Sequence, residues 1–342
     1  MAIVEVCVVP DTNIWVYASR LLRTPIGAAL LYAVRTSEAT IGLPEVIERE
    51  LLKHAEKLGG NLLDKATDAH RQLVTLLGQL GEFPAPKRTF EAAAVDRLTD
   101  LDSLILRVPV RCEHSEAALD RILRELPPNG PRDQQFKDCM VWEAVLELAD
   151  ERDVHLITED AGFYEGRKYA NGLAASLQEQ AAAAGKTISI HRDISTFLEH
   201  FRSKVPAIDY DAVARNLAVA LQPELARIAE RHPVSIGDLR EHHIVAFITE
   251  RIDSVAMKFD MIFPAEHGEQ TADRRDAVVT VSGEASCKLP DLSVTALQVE
   301  RIGIQTGTGE PLPGGSVRVL LGTAYLGQRT IKHELRHPLD EI

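Results

Sequence analysis

Short apolar runs alternate with longer helical patterns from residue 3 to residue 201. Strands that alternate with helices in this way form a parallel sheet with helices packed on both faces. Four of the runs have the length and composition of buried strands, at residues 3–9, 40–43, 154–158 and 187–191. Helices are predicted around them at residues 44–57, 62–80, 90–104, 115–126, 135–151, 172–184 and 194–201. The pattern therefore predicts an α/β fold, and such sheets bind ligands at the carboxyl ends of their strands.

The sequence pattern changes after the linker-like stretch SKVPAIDYDA at residues 203–212. Two helices are predicted at residues 209–231 and 236–251, and alternating β patterns follow them. In the stretch VAMKFDMIF, one face of the strand is entirely apolar and carries Val255, Met257, Phe259, Met261 and Phe263. These features predict a smaller α+β domain with a mainly antiparallel sheet. We therefore expect two domains, residues 1–204 and residues 205–342.

The chain is acidic along its whole length, with a net charge of −13. Residues 1–205 contain 24 basic and 31 acidic side chains, and the remainder contains 14 and 20. Neither half is therefore a basic nucleic-acid module. Because nucleic acids are bound by neutralising their phosphates, this chain would need a local basic patch or bridging metal ions to bind one.

Cysteine spacing and hydropathy exclude several other classes of protein. The four cysteines are scattered and form no CxxC pair, which argues against a zinc site or a disulfide framework. No apolar stretch approaches the roughly 18 to 20 residues of a membrane helix. The N-terminal residues also lack the pattern of a signal peptide. We expect a cytoplasmic protein with no membrane contact.

Two of the predicted strands end in a carboxylate. Asp11 follows the first strand after Pro10, and Glu159 and Asp160 follow the strand at residues 154–158. Either strand end taken alone is typical of a turn or a helix N-cap. Glu159 is the weaker candidate, because its side chain should point away from that of the residue before it. In a parallel sheet, however, both strand ends lie at the same edge.

Two further carboxylates fall inside the apolar stripes of helices, where burying an acid costs free energy unless it is paired or binds a metal. Glu50 falls within the apolar arc of its helix, whereas Glu45 and Glu48 fall at or beyond the edge of that arc. Asp138 falls at the centre of the apolar face of the helix at residues 135–151, in its first turn. A cap or an ion pair with a nearby basic residue is the alternative interpretation of Asp138.

These four carboxylates predict a metal site. Clustered anions repel one another and cannot all stay ionised unless something positive is bound. Carboxylates and waters suit Mg²⁺ or Mn²⁺. Two such ions can activate a water and stabilise the leaving oxygen at a phosphodiester. The predicted metal ligands, direct or through water, are Asp11, Glu50, Asp138 and Asp160.

Neighbouring polar residues have supporting roles in this hypothesis. Thr12, Asn13 and Thr158 would hydrogen-bond the ligands or a phosphate. Arg132 or Lys137 would contact the scissile phosphate, although an ordinary polar loop is the alternative for their segment.

Other chemistries find less support in the sequence. His242 and His243 lie in the predicted helix at residues 236–251, where neighbours point about 100° apart and cannot easily share a metal. We interpret them as a solvated or partly buried pair. No Ser, Cys or Lys has a visible partner base, so the sequence does not indicate covalent catalysis.

At these residues the sequence resembles the PIN-domain nuclease superfamily, in particular its larger bacterial PIN-like members. VVPDTNIW resembles the family's first strand with its D-T-N motif, and LPEVIEREL resembles the helix that carries the acid Glu50. KDCMVWEAVLELA is similar to the helix that opens on Asp138. VHLITEDAGF matches the strand that ends in T-x-D-x-x-F, with Thr158, Asp160 and Phe163. Each motif alone is weak, but the four occur in order and in fitting strand and helix contexts.

The resemblance covers residues 3–201 and implies a parallel α/β/α sandwich with metal-dependent endoribonuclease activity. The sequence departs from the family pattern in two respects. The stretch between Glu50 and Asp138 is long for a minimal PIN domain and must hold extra helices. The C-terminal half resembles no family, and its acidic helices and amphipathic sheet fit a contact with a partner protein or self-association better than a phosphate clamp.

Three functions compete at this point. The first is a Mg²⁺- or Mn²⁺-dependent nuclease acting on RNA. The second is a PIN-like module that has lost catalysis and binds RNA or protein, which the intact set of four acids argues against. The third is another Mg²⁺-dependent phosphohydrolase or a phosphoryl-accepting receiver. A D-x-D phosphatase, however, would have Asp where Asn13 stands.

Overall fold

The computed structural model describes residues 5–84, 86–130, 134–200, 208–232, 234–267, 275–289, 291–306, 311–321 and 331–335. The chain divides into two compact units. The first contains residues 1–23 and 33–200, and the second contains residues 24–32 and 201–342. The short segment 24–32 thus groups with the second unit although the first unit surrounds it in sequence.

The first unit contains a five-stranded parallel sheet, which confirms the predicted fold class. Its strands are β1 (Val6–Pro10), β2 (Thr40–Pro44), β3 (Ile105–Val108), β4 (Asp153–Ile157) and β5 (Ile188–His191). They are arranged in the order β3-β2-β1-β4-β5, so β1 is central. Cys7, Val8 and Val9 of β1 are fully buried. This burial explains why the strand is a continuous apolar run rather than an alternating one.

Among the described residues, eight α-helices accompany the strands of the two units. They are α1 (Pro25–Thr36), α2 (Glu45–Leu77), α3 (Phe90–Asp100), α4 (Cys112–Leu123), α5 (Phe136–Ala149), α6 (Ala175–Ala183), α7 (Ile194–His200) and α8 (Tyr210–Arg231). Short helical turns lie at Ile14–Ala18, Asp102–Leu104, Ala161–Phe163, Glu165–Arg167 and Tyr169–Asn171. Within the described part of the chain, no helix combines the length and apolar character that crossing a membrane requires.

Four elements between residues 25 and 108 differ from the prediction, namely α1, α2, α3 and β3. The helices expected at residues 44–57 and 62–80 are one helix, α2, which runs through Gly59. A Cβ atom at Gly59 would collide with the ring of Phe90, so this glycine permits close packing of α3 and does not end the helix. The helix expected at residues 90–104 stops ten residues after Phe90 because β3 follows as an edge strand. Helix α1 was not predicted.

The second unit is the predicted antiparallel sheet with a helix packed on it. Its strands are β6 (Val234–Ile236), β7 (Glu241–Ile248), β8 (Ser254–His267), β9 (Arg275–Lys288), β10 (Val294–Thr306), β11 (Pro311–Leu321) and β12 (Ile331–Leu335). Their order is β12-β11-β10-β9-β8-β6, and β7 also pairs with β8. The predicted apolar face of β8 is buried, with Met257, Phe259 and Met261 all at 0% exposure. Leu217 and Leu221 of α8 belong to the same core.

The prediction of a helix at residues 236–251 is wrong. These residues form the end of β6 and the strand β7, which pairs with β8 from Glu241 opposite Ile262 to Ile248 opposite Val255. A long, apolar partner strand overrides the weak helical pattern here. His242 and His243 therefore lie on opposite faces of a strand, an arrangement that also keeps them from sharing a metal.

Three histidines lie together in the first unit, on β4, at the end of β5 and at the end of α7. His155 Nδ1 and His191 Nε2 are 2.9 Å apart, and the ring of His200 is 5.4 Å from that of His155. Burial, with a smaller contribution from neighbouring histidines, lowers the pKa of both His155 and His191 to about 4. Both side chains are thus neutral in the folded protein.

The first unit is therefore expected to lose stability in mild acid. The unfolded chain binds protons on these histidines below pH about 6.5, whereas the folded protein does so only near pH 4. The free energy of unfolding thus falls as the pH drops from about 6.5 toward 4. We expect the melting temperature of His155→Phe to fall less between pH 7 and pH 5 than that of the wild type. The difference between the two falls should be on the order of a few degrees.

Thermal unfolding across a pH series measures this difference. The variant is compared with His70→Phe, a change at a partly exposed position of α2. Parallel curves of melting temperature against pH for His155→Phe and the wild type would contradict the prediction.

Candidate active site

The ends of β1 and β4 lie side by side. The two strands are parallel neighbours with Pro10 opposite Ile157. The backbone N–H of Asp11 donates to Ile157 O at 2.9 Å, and Thr158 Oγ1 donates to Asp11 Oδ2 at 2.8 Å. Strands β2 and β3 lie on one side of β1, and β4 and β5 lie on the other. This is the point where the strand order reverses, and α/β sheets form their ligand-binding crevice there.

Asp11 is a buried carboxylate that hydrogen bonds from Thr12 and Thr158 hold in place. Its side chain accepts from Thr158 and from the backbone N–H of Thr12, the latter at 2.6 Å. Burial raises the pKa of Asp11 to about 6, and repulsion from Asp160 and Glu50 adds to the rise, although the two hydrogen bonds oppose it. The orientation of this carboxylate is therefore fixed, but its negative charge is poorly compensated.

Glu50 approaches the same edge of the sheet from α2. Thr12 Oγ1 donates to Glu50 Oε2 at 3.0 Å, and Lys137 Nζ pairs with Glu50 Oε1. Burial would raise the pKa of Glu50, but the hydrogen bonds from Lys137 and Thr12 outweigh it and lower the pKa. Lys137, which the sequence assigned to a phosphate, thus lies against a carboxylate in this structure, and its side chain remains 61% exposed.

The other two acids of this helix turn have different partners. Glu48 lies 3.5 Å from Arg107 of β3, and Glu45 accepts from the backbone N–H of Val110. The side chains of Glu48 and Glu50 are 24% and 19% exposed, so depth does not distinguish them. Direction does, because only Glu50 contacts the residue that follows Asp11.

Asp138 lies in the first turn of α5, close enough to the other three acids for their charges to repel its own. Burial raises the pKa of Asp138 to about 8, followed by repulsion from Asp11, Asp160 and Glu50. Lys137 opposes this rise only weakly. Asp138 is therefore the carboxylate on which the mutual repulsion of the group is most evident.

The opposite side of α5 faces α4 and explains how the helix is oriented. Glu143 pairs with Arg121 at 2.8 Å, and Glu147 pairs with Arg111 at 2.7 Å. These ion pairs direct the remaining acids of α5 away from the sheet edge. Asp138 lies on the other side of α5, about 140° to 180° around the helix from these two acids.

Asp160 follows Thr158 in a tight turn after β4. Its backbone N–H donates to Thr158 Oγ1 at 3.0 Å, and its Oδ1 accepts from the N–H of Gly162 at 2.7 Å. A Cβ atom at Gly162 would meet the carbonyl oxygen of Pro128, so only glycine fits this turn. Asp160 thus caps the turn Ala161–Phe163 and also contributes charge to the carboxylate group.

The remaining predicted residues are placed as follows. Asn13 is exposed and begins the helical turn Ile14–Ala18. Glu159 lies between Thr158 and Asp160 in the turn after β4, and its main-chain carbonyl accepts a hydrogen bond from the hydroxyl of Tyr169. Arg132 lies outside the described residues, so its predicted phosphate contact stays a prediction.

The sequence analysis missed a histidine beside the site. His54 Nε2 lies 3.6 Å from Glu50 Oε1, and its Nδ1 is 2.8 Å from the hydroxyl of Tyr17. His54 follows Glu50 by four residues on α2, and this spacing places the two side chains on one helix face. This spacing in the sequence could have identified His54 as a neighbour of Glu50.

The donor set fits a hard divalent cation. Asp11, Glu50, Asp138 and Asp160 offer oxygen ligands only, which suits Mg²⁺ or Mn²⁺. Burial is the main cause of the raised pKa values of Asp11 and Asp138, and repulsion between the carboxylates adds to it; a bound cation would favour the ionised form against both. As the side chains stand, no three His, Cys, Asp or Glu residues among those described form a ready metal-binding group. Metal binding would thus require the carboxylates to draw together and Lys137 to release Glu50.

Comparison with known families agrees with this geometry. Residues 8–163 match the family model described as "PIN domain". The matched segment contains all four carboxylates and ends at Phe163, before β5 and before the part of the second unit that begins at residue 201. No curated protein and no solved structure matches the chain.

Proposed function

Residues 8–163 are a PIN domain, a nuclease-type fold that is often metal-dependent, and on that premise we propose that this chain is a metal-dependent endonuclease. It hydrolyses phosphodiester bonds, with RNA as the preferred substrate and Mg²⁺ or Mn²⁺ as the cofactor. One observation supports this proposal most strongly. Four carboxylates from two strand ends and two helices converge on one edge of the sheet, so that each of the other three raises the pKa of Asp138.

The proposed chemistry assigns a separate task to each part of the site. Metal ions held by Asp11, Glu50, Asp138 and Asp160 would supply positive charge at the attacking and leaving oxygens and a more acidic water. Thr158 and the N–H of Thr12 fix the orientation of the Asp11 carboxylate.

Lys137 has a further task in this proposal. It immediately precedes Asp138 on α5, its side chain is 61% exposed, and its ammonium group would contact a phosphate oxygen of a bound strand. In this role it would neutralise charge on the substrate, as the sequence analysis expected. Its present partner, Glu50, is one of the proposed metal ligands.

The proposal extends to the compartment and to the second unit. All four cysteines are free thiols, as expected for a protein of the reducing cytoplasm. Residues from 206 onward contain 14 basic and 20 acidic side chains, so a broad phosphate-binding surface is not expected there. We propose that this unit contacts a protein partner or a second copy of the chain.

A cleavage assay on the full-length protein tests the function directly. Labelled single-stranded RNA, structured RNA and single-stranded DNA are each incubated with Mg²⁺, Mn²⁺ or EDTA. We expect RNA to be cut internally with either metal and not to be cut with EDTA. In this proposal the nucleophile would be a water that bound metal makes more acidic, so the products should lack a 2′,3′-cyclic phosphate, and a 2′-deoxy residue at the cut site should still allow cleavage.

Two variants control for contaminating nucleases. Asp11→Asn should be inactive, whereas Asp68→Asn, at an exposed position of α2, should cut like the wild type. Cleavage that persists in EDTA or in Asp11→Asn would overturn the proposal. So would the absence of cleavage of all three substrates with both metals.

A further inference from the structure

An exposed tyrosine and an arginine form a stacked pair close to Asp160. Tyr169 begins the short turn Tyr169–Asn171 and is 38% exposed. Arg192 directly follows β5, and its guanidinium carbon lies 4.5 Å from the centroid of the Tyr169 ring. Strand β5 neighbours β4, so this pair lies at the same end of the sheet as the carboxylates.

The ring of Tyr169 is anchored to the backbone of the active-site strand end. Its hydroxyl donates at 2.8 Å to the carbonyl oxygen of Glu159, the residue between Thr158 and Asp160. The hydroxyl of Tyr164 donates to Thr158 O at 3.0 Å, and its ring lies edge-on to Tyr169 with centroids 5.0 Å apart. Tyr164 is buried, so it supports the exposed ring from below. Two hydrogen bonds thus fix an exposed aromatic surface relative to Asp160.

Three cationic side chains belong to this pair or lie within two residues of it in sequence. Lys168 and Arg192 are exposed, and the guanidinium of Arg167 lies against Gly130, in the segment that leads to α5. The acids closest in sequence to these cations are bound to backbone N–H groups. Glu165 accepts from Ala175 N at 2.8 Å, and Asp193 accepts from Thr196 N at 2.9 Å.

We propose that Tyr169 and Arg192 form a stacking platform for an unpaired nucleobase of a single-stranded nucleic acid whose phosphate lies at the carboxylates. Aromatic rings and guanidinium planes bind bases by stacking, and every base offers a π face. Bases inside a duplex stack on one another and cannot reach such a platform. The substrate class is therefore single-stranded, with little dependence on sequence. This inference rests on the proposed nuclease function, because it takes the carboxylate edge as the phosphate site.

Binding with Ca²⁺ in place of Mg²⁺ tests the platform apart from catalysis, because Ca²⁺ supplies positive charge at the carboxylates but does not impose the strict octahedral geometry of Mg²⁺. The full-length protein is titrated into labelled single-stranded RNA, single-stranded DNA and a duplex, and fluorescence anisotropy gives the dissociation constant. We expect single strands to bind more tightly than the duplex. Tyr169→Ala should weaken single-strand binding about ten-fold and leave duplex binding unchanged.

Three further variants separate stacking from other effects. Tyr169→Phe keeps the ring but loses the bond to Glu159 O, and it should bind nearly as the wild type does. Arg192→Lys keeps the charge but loses the guanidinium plane, and its affinity should fall between those of the wild type and Tyr169→Ala. Tyr210→Ala removes a similarly exposed tyrosine (37%) from α8 and should have no effect.

An abasic site moved along the oligonucleotide provides a readout that a merely structural role of Tyr169 would not produce. At one position, the missing base should cost the wild type as much affinity as Tyr169→Ala does, and it should cost Tyr169→Ala nothing more. Equal binding by Tyr169→Ala and the wild type, tighter binding of the duplex, or additive losses at every abasic position would each overturn the platform.

These outcomes are distinct from failure of the nuclease proposal. If the wild type cuts RNA with metal but Tyr169→Ala binds and cuts equally well, only the platform is wrong. If the wild type neither cuts nor binds any single strand, the nuclease proposal fails, and the platform fails with it.

Discussion

Asp138→Asn is expected to abolish metal-dependent cleavage and to raise the melting temperature of the metal-free protein at neutral pH. Asparagine has the same shape but carries no charge, so it is a poor metal ligand. We expect cleavage to fall by at least about 100-fold, as is usual when a metal ligand or its support is lost. The gain in stability follows from replacing a carboxyl whose ionised form the folded protein disfavours, first through burial and then through repulsion from three other carboxylates.

The pH dependence of this gain has a definite sign. Because the pKa of Asp138 is raised to about 8 in the folded protein and is about 3.9 in the unfolded chain, the folded state holds the proton more tightly. The free energy of unfolding of the wild type therefore decreases as the pH rises from about 4 to about 8. Asp138→Asn lacks this decrease, so its advantage should be absent near pH 4 and full above pH 8.

Melting temperatures in EDTA between pH 5 and pH 9 measure this difference, and Asp120→Asn, at an exposed position of α4, is the matched control. With Mg²⁺ or Mn²⁺ in excess, the order should reverse, because a ligand that binds only the folded state stabilises it and the variant binds the metal poorly. Full cleavage activity in Asp138→Asn would remove this residue from the site. A melting-temperature difference independent of pH would contradict the buried charge of Asp138 as the cause of the gain.

The parts of the fold that the sequence predicted correctly are those in which burial is uniform. Strands β1 and β4 are buried on both faces, so they read as apolar runs and direct Asp11 and Asp160 to one edge. In the same way, α5 shows Asp138 within its apolar stripe because the helix packs on both α4 and the sheet. Periodicity is informative wherever one face of an element is consistently covered.

The elements that sequence analysis missed depend on contacts between distant residues. The edge strand β3 is only four residues long and partly exposed, and it extends the sheet only because β2 lies beside it. The strand β7 has a mixed pattern that pairing with β8 decides. Gly59 looks like a helix break until Phe90 is placed against it.

The same limit applies to the site. The pair between Lys137 and Glu50 joins residues 87 positions apart, and no local pattern encodes it. The hydrogen bond from Tyr169 to Glu159 O involves a backbone carbonyl, and because every residue has one, the residue type gives no sign of this bond. Sequence reasoning could therefore propose the four carboxylates, which are marked by their conflict with apolar surroundings. It could not find groups whose partners are main-chain atoms or lie far along the chain.

Glu50→Gln is expected to reduce cleavage by at least about 100-fold, whereas Glu48→Gln should leave it within about two-fold of the wild type. The two acids are matched in almost every other respect. They are two residues apart on α2, their side chains are 19% and 24% exposed, and each pairs with a Lys or Arg side chain, although Glu50 also lies beside His54. Only Glu50 contacts Thr12, so only its charge belongs to the carboxylate group.

Neither substitution should change stability much. In Glu50→Gln the side-chain amide oxygen can still accept from Thr12 Oγ1, and loss of the pair with the exposed Lys137 costs about 0–1 kcal/mol. Arg107 keeps its pair with Asp102 when Glu48 is replaced. A difference in cleavage between the variants therefore cannot be ascribed to unfolding.

Cleavage rates at saturating metal, the metal concentration for half-maximal rate, and melting temperatures complete the comparison. In Glu50→Gln the rate should fall and the metal requirement should rise, because the site has lost one negative ligand. In Glu48→Gln both should be unchanged. The reverse ranking would mean that α2 presents Glu48 to the substrate, and the contacts among Thr12, Glu50 and Lys137 would then not be those of the active enzyme.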